Sequence, residues 1–201
     1  MDIDVMEIIS LYGGVVGYNY GDVINCINYG KVLGDIGGGM EKCVAGIAAY
    51  NNNGNIESCV NRGNITLKGE KTYGGCVGGI SGERNGGNSY IANCTNYGII
   101  SSTDETFTYT AGISANAYGD MIGCKNYGTI KSESYAAVLS IFTGLVYPAT
   151  AGIAAEAYGT VSDCINYSRE IYCADGNING IVATGSATVT NCQSEFWTWI
   201  I

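Results

Sequence analysis

Apolar residues along this chain come in short bursts set apart by Gly, Asn and Ser. One burst follows a Gly-Ile or Gly-Val pair, as in Gly46-Ile47-Ala48-Ala49-Tyr50. A second is a β-branched residue or Met-Ile pair just ahead of a cysteine: Val23-Ile24, Ile56, Ile91, Met121-Ile122, Val161 and Val189. A third follows an Asn-Tyr-Gly turn or its equivalent: Val32, Ile65, Ile99-Ile100, Ile130 and Ile171. Short runs of this kind, rich in β-branched side chains and punctuated by Gly and Asn, predict strands.

The bursts recur as a unit. Gly14-Val15, Gly46-Ile47, Gly79-Ile80, Gly112-Ile113, Gly152-Ile153 and Gly180-Ile181 open six units, spaced 32, 33, 33, 40 and 28 residues apart. Each unit then carries a cysteine: Cys26, Cys59, Cys94, Cys124, Cys164 and Cys192. A period of this size marks supersecondary units that bury one another by stacking. With three strand signals per unit, the expected fold is all-β: a parallel β-helix, or solenoid, of about six coils with three short strands per coil. Successive coils would rise by ~4.8 Å. A propeller blade has four longer strands and a longer period, and fits less well. The expected organisation is an N-terminal cap or edge strand over 1–10 and a six-coil repeat domain over 11–195. The apolar segment 196–201 would then be a cap or a contact with another subunit, through Phe196, Trp197 and Trp199. An apolar insertion over 134–148 lengthens the fourth unit.

Stacking places equivalent positions on top of one another. Asn28, Asn61, Asn96, Asn126 and Asn166, each two residues after a motif cysteine, should form an amide ladder that ends at Ser194. Gly30, Gly63, Gly98 and Gly128 follow and are expected to supply positive φ, with Ser168 breaking the series. The six motif cysteines are expected to form an inward column of small apolar thiols. Cys43 and Cys76 share a second repeat position, and Cys173 stands alone. Parallel Cβ vectors and an odd total of nine cysteines disfavour disulfides. With no His and no Cys-x-x-Cys there is no zinc motif, and neither metal nor cofactor is expected.

Composition narrows the function classes. The formal charge is −9 over 201 residues, with 13% charged side chains, against nucleic acid as a partner. No apolar run approaches the ~18 residues of a membrane span, so no membrane insertion is expected. The start, Met1-Asp2-Ile3-Asp4, is acidic and lacks a basic n-region, so a secretory signal peptide is not expected in it. A fragment or processed form of an exported protein is the expectation. The absence of His removes Ser-His-Asp and Cys-His catalysis. Asp120, Glu156 and Asp163 are the carboxylates to examine for an enzyme, with solvated surface charge as the plainer account. Two tyrosine series stand out: Tyr29, Tyr97, Tyr127 and Tyr167, with Arg62 in the second unit, and Tyr20, Tyr118 and Tyr158. They would either form an exposed amphipathic strip for a sugar or protein partner, or cover the turns.

The stretch Gly13-Gly14-Val15-Val16-Gly17-Tyr18-Asn19, leading to Asn25-Cys26-Ile27-Asn28-Tyr29-Gly30, resembles the GLUG-type repeat of bacterial surface proteins. The resemblance covers nearly the whole chain, although Leu is absent from the glycine phrase. It implies a piece of a large exported, adhesin-like protein, located extracellularly or at the cell surface, and it brings no catalytic residue. The expected function is a non-enzymatic structural or adhesive scaffold, self-assembling into a fibre through its coil ends or binding a surface glycan or protein. The alternative is a carbohydrate-active β-helix enzyme or a glycan-binding module, a reading that rests on fold analogy.

Overall fold

The computed structural model describes residues 10–39, 42–72, 74–85, 89–104, 108–135, 137–140, 144–195 and 197–198. It is a parallel β-helix of six coils whose strands stack into five six-stranded sheets. Sheet 1 stacks Ser10–Gly13, Lys42–Ala45, Gly75–Gly78, Thr108–Ala111, Ala149–Ala151 and Asn177–Asn179. Sheet 2 stacks Val16–Asn19, Ala48–Asn52, Ser81–Asn85, Ser114–Ala117, Ala154–Ala157 and Val182–Gly185. Sheet 3 stacks Val23–Ile24, Ile56–Glu57, Tyr90–Ala92, Asp120–Ile122, Thr160–Ser162 and Thr188–Thr190. Sheet 4 is built of two-residue strands: Ile27–Asn28, Val60–Asn61, Thr95–Asn96, Lys125–Asn126, Ile165–Asn166 and Gln193–Ser194. Sheet 5 stacks Val32–Gly39, Ile65–Thr72, Ile100–Asp104, Ile130–Ser132, Glu170–Cys173 and Trp197–Thr198.

Each coil thus has five strands where the apolar pattern predicts three. Sheets 2, 3 and 5 are the three predicted. Sheet 4 leaves no periodic signal, because a two-residue strand is too short to alternate. Sheet 1 is hidden for another reason. Its central strands, such as Lys42–Ala45 and Gly75–Gly78, are buried along their whole length, so inside and outside do not alternate in polarity.

The cross-section has two lobes and a corner. The larger lobe, bounded by sheets 2, 3 and 4, is filled by Ile47, Ile80, Ile113 and Ile153 of the Gly-Ile pairs, by Ile56, Ile91, Met121 and Val161 of sheet 3, and by the motif cysteines. In the smaller lobe, Val44 and Val77 of sheet 1 pack on Ile65, Leu67, Ile100, Ile130 and Ile171 of sheet 5. Cys43 and Cys76, next to Val44 and Val77, point to the other face of sheet 1 and pack with Ala49 and Ala115 of sheet 2. Sheet 1 is therefore packed on both faces.

The Asn ladder and the Gly-Ile turns meet between the lobes. Asn28 Nδ2 donates to Asn61 Oδ1 at 2.8 Å, Asn61 to Asn96 at 2.8 Å, Asn96 to Asn126 at 2.8 Å and Asn126 to Asn166 at 2.9 Å. Asn166 donates to Ser194 Oγ at 3.2 Å, where the series ends. Each amide also closes its own turn: Asn96 Nδ2 donates to Gly98 O at 3.0 Å, and Gly98 N donates back to Asn96 Oδ1 at 3.2 Å. The glycine of the Gly-Ile pair lies against this ladder. A Cβ on Gly46 would stand 2.4 Å from Asn61 Cγ and 2.3 Å from the Gly79 carbonyl oxygen. The two motifs are two sides of one contact.

The backbone corrects one expectation. Gly30, Gly63, Gly98 and Gly128 are not among the positive-φ residues. Gly63, Gly98 and Gly128 are glycine because of close approach to the coil before: a Cβ on Gly63 would meet the Gly30 carbonyl oxygen at 1.8 Å, and one on Gly98 would meet that of Gly63 at 1.9 Å, whereas Gly30, in the first coil, has no such neighbour. The left-handed position is the residue before each motif cysteine, with φ of 55° at Asn25, 53° at Ser58, 54° at Asn93, 63° at Gly123, 54° at Asp163 and 52° at Asn191. Gly and Asn visit this region most readily, and short polar side chains ease it by local hydrogen bonding.

The insertion of the fourth unit forms an antiparallel pair, Ala137–Ser140 with Gly144–Val146, beside the solenoid's own sheets. The expected N-terminal cap lies outside the described residues except for Ser10, which opens sheet 1. Phe196 and residues 199–201 also lie outside them. Trp197–Thr198 pair with Glu170–Ile171, so the backbone of the sixth coil continues through sheet 5.

Candidate functional site

The motif cysteines form the expected column. Cys59, Cys94, Cys124 and Cys164 are buried, Cys26 and Cys192 at the two ends are half-buried, and no disulfide joins any of the nine cysteines. Each thiol donates to backbone carbonyls: Cys59 Sγ to Glu57 O at 3.2 Å, Cys94 Sγ to Ala92 O at 3.2 Å and Cys124 Sγ to Ile91 O at 3.5 Å. The thiol of the neighbouring cysteine and burial raise Cys59 and Cys124 well above the usual thiol range. Carbonyl acceptors favour the protonated form, so we read the column as neutral and structural.

The first tyrosine series forms a column along the turn after sheet 4. Arg62, Tyr97, Tyr127, Tyr167 and Glu195 each donate their backbone N–H to the Asn carbonyl of the coil before, at 2.7–2.9 Å. That register stacks the rings. Tyr97 and Tyr127 lie 5.0 Å apart at 9°, Tyr127 and Tyr167 lie 4.7 Å apart at 12°, and the Arg62 guanidinium covers Tyr97 at 4.7 Å. Tyr97 and Tyr127 are 45% and 42% exposed, and Tyr29, in the first coil, is 72% exposed. Stacked rings hide their faces in each other and offer edges and hydroxyls to solvent. A free face is available only where the stack stops. At Tyr167 the next coil carries Glu195, and there an open depression of about 540 Å³ is lined by Tyr127, Thr129, Tyr167, Arg169 and Glu195.

The second series divides. Tyr118 and Tyr158 stack at 5.0 Å and 13°. Tyr20 does not join them. It stacks on Tyr18 at 4.6 Å, and Tyr18 stacks on Tyr50 at 4.8 Å, a cluster confined to the first two coils. The physical reason is that Asn52 and Asn85 occupy the intervening units, so no ring bridges them.

The three candidate carboxylates are dispersed. Glu156 sits in sheet 2 and accepts from Tyr158 Oη at 2.8 Å, which pushes that phenol up to about 12. Asp120, in sheet 3, accepts from the Thr160 backbone N–H at 2.9 Å. Asp163 holds a left-handed corner. The structure gives these residues separate local tasks.

A different cluster escaped the sequence reading. Cys43 and Cys76 are direct partners in sheet 1 and both are buried. Their sulfurs and a carboxylate oxygen of Glu83 all lie within 4.8 Å of one another, with Cys43 Sγ to Glu83 Oε2 at 3.5 Å. The shared repeat position of the two cysteines was the available signal. Glu83 gave none, because Tyr50 and Asn116 hold its position in the neighbouring coils.

No family model matches the chain, and no curated protein is similar to it. Among solved structures it is similar to a crystal structure from Bacteroides ovatus provisionally named as an immunoglobulin A1 protease, with 18% identity and a TM-score of 0.49. The match covers 92% of this chain, which spans 56% of that one.

Proposed function

We propose that this chain is a non-enzymatic repeat scaffold of an exported cell-surface protein, and that the end of its tyrosine column binds a surface glycan. The observation that carries this reading is the ring stack over Tyr97, Tyr127 and Tyr167, ending at the depression beside Arg169 and Glu195. A pyranose needs an aromatic face for its C–H surface and planar charged groups for its hydroxyls. Tyr167, Arg169, Thr129 and Glu195 supply both kinds of contact in one place. The resemblance to GLUG-type repeats supports the surface setting.

Binding of purified chain to an array of cell-surface polysaccharides tests this. Tyr167→Ala and Arg169→Ala should each weaken binding about tenfold, a loss of ~1.4 kcal/mol. The polysaccharide should keep its chain length on prolonged incubation. Shortened chains would indicate an enzyme, and binding unaffected by both variants would remove the depression as the site.

End-to-end assembly is a second reading, favoured by the sixth coil. Thr188–Thr190 and Gln193–Ser194 are exposed and form the last rungs of sheets 3 and 4. Their outer edges meet no further strand among the described residues, and such edges accept another chain readily. Negative-stain micrographs should show fibres at high protein concentration; uniform single particles would end this reading.

A further inference from the structure

The corner between sheets 1 and 2 holds chemistry that neither a scaffold nor a glycan site uses. Cys43 belongs to the second coil, and Cys76 and Glu83 to the third. The parallel register of sheet 1 puts the two cysteines side by side on the same face. The chain then turns at Gly79-Ile80, and sheet 2 brings Glu83 back over them. Between them stands Gly82, flanked in register by the positions of Ala49 and Ala115. A Cβ there would meet Cys43 Cβ at 3.2 Å and the Ala49 carbonyl oxygen at 2.6 Å, so the glycine lets sheet 2 approach Cys43 closely.

We propose that Cys43, Cys76 and Glu83 bind a thiophilic divalent cation of the zinc class, with a fourth position open. Three features of the cluster point to this ligand. Two thiol sulfurs with one carboxylate oxygen form a soft donor set typical of zinc and unlike the all-oxygen sets of calcium or magnesium. The spacing fits: a tetrahedral zinc with Zn–S of ~2.3 Å and Zn–O of ~2.0 Å holds sulfur and oxygen about 3.5 Å apart. Cys43 Sγ and Glu83 Oε2 are 3.5 Å apart already. The third feature is Asn116, the ladder partner of Glu83 on the following coil. It is only 7% exposed, and its Oδ1 has no hydrogen-bond partner. That buried acceptor stands one rung from Glu83, suited to a metal-bound water in the open position. Binding releases one proton from each thiol and leaves both sulfurs as thiolates on the metal. The ion then ties the second coil to the third.

The test uses the whole chain, reduced and kept free of oxygen, titrated with Co2+ and then with Zn2+. One equivalent of Co2+ should produce a near-ultraviolet thiolate-to-cobalt band and visible bands of tetrahedral cobalt, and Zn2+ should displace them. Cys43→Ser and Cys76→Ser should each abolish the thiolate band. Glu83→Gln, which keeps both thiols and nearly the same shape, should weaken Co2+ binding about tenfold or more. Cys192→Ser, in the motif column, should leave the titration unchanged. The proposal is overturned if the reduced wild-type chain shows no thiolate band, or if the band survives in the Cys43→Ser/Cys76→Ser double variant. It is also overturned if mass spectrometry shows that Cys43 and Cys76 form a disulfide in protein purified without reductant and that the reduced chain binds no Co2+. If a cysteine variant fails to fold, the wild-type titration and Glu83→Gln still decide.

Discussion

The motif cysteines of the larger lobe and the Cys43–Cys76 pair of the corner are both stacks of thiols on adjacent coils, yet they face different neighbours. In the column, six coils repeat one position, and each sulfur donates to a backbone carbonyl of its own coil or of the coil before. In the corner, two coils place their sulfurs against a carboxylate that the coils on either side of it lack, Tyr50 and Asn116 holding its position there. The repeated positions build the solenoid, and the unrepeated ones give one part of it a chemistry of its own. The same division separates the Asn ladder from the tyrosine columns, which run only where consecutive units carry rings.

The sharpest way to break this contrast is to damage a repeated position. Asn96→Ala removes the amide that bonds Asn61, Asn126 and both groups of Gly98, and it strands several buried partners. The expected loss is about 3 kcal/mol in urea unfolding, larger than for any substitution in the corner. Cys124→Ala should follow at about 2 kcal/mol, through a cavity in a fully packed column. Cys76→Ala should lose a comparable amount or less in metal-free buffer. Adding Zn2+ should raise the Tm of the wild type and of Cys124→Ala while leaving that of Cys76→Ala unmoved. Equal responses in all three would erase the distinction between column and corner.

Alkali offers a graded version of the same comparison. The Cys124 thiol is raised in the folded chain by Cys164, by Cys94 and by burial, so the unfolded chain releases its proton first. Stability is therefore intact below the ordinary thiol range and falls as pH rises above about 8.5, by up to ~1.4 kcal/mol per pH unit for this group. A melting series across that range checks it, and Cys124→Ala should flatten the slope. Tyr127→Phe should have the smallest effect, within about 0.5 kcal/mol, because the hydroxyl it removes is at the exposed edge of the stack.

How much of this was legible depends on repetition. The number of coils, the inward cysteines and the Asn ladder follow from spacing, because a solenoid converts equal sequence positions into contacts. The glycine after each Asn-Tyr was legible as a necessity but not as a mechanism, since sequence does not distinguish positive φ from a carbonyl 1.9 Å away. The left-handed corners were hidden by variety: Asn, Ser, Asn, Gly, Asp and Asn share that position, and no single residue marks it. The two lobes and the corner were out of reach, because a buried sheet of Cys, Val, Ala and Gly shows no preferred face. Glu83 meets the two cysteines through the turn at Gly79-Ile80, a geometry that spacing alone does not encode.

The close packing of one coil's glycine on the next also bears on how such a chain varies in length. Three residues lie between the cysteine and this glycine in each of the first four units, whereas the units themselves run from 28 to 40 residues. A single-residue deletion inside that segment would take the Asn or the glycine of its own unit out of the ladder. The longest unit carries its extra residues between sheets 5 and 1, and all five sheets keep their register beside it. Each rung touches only its neighbours, so a complete unit can be duplicated or excised with one junction to heal. The coil is in that sense a quantum of inheritance, and the connection after sheet 5 is the margin where new sequence is written without disturbing the text.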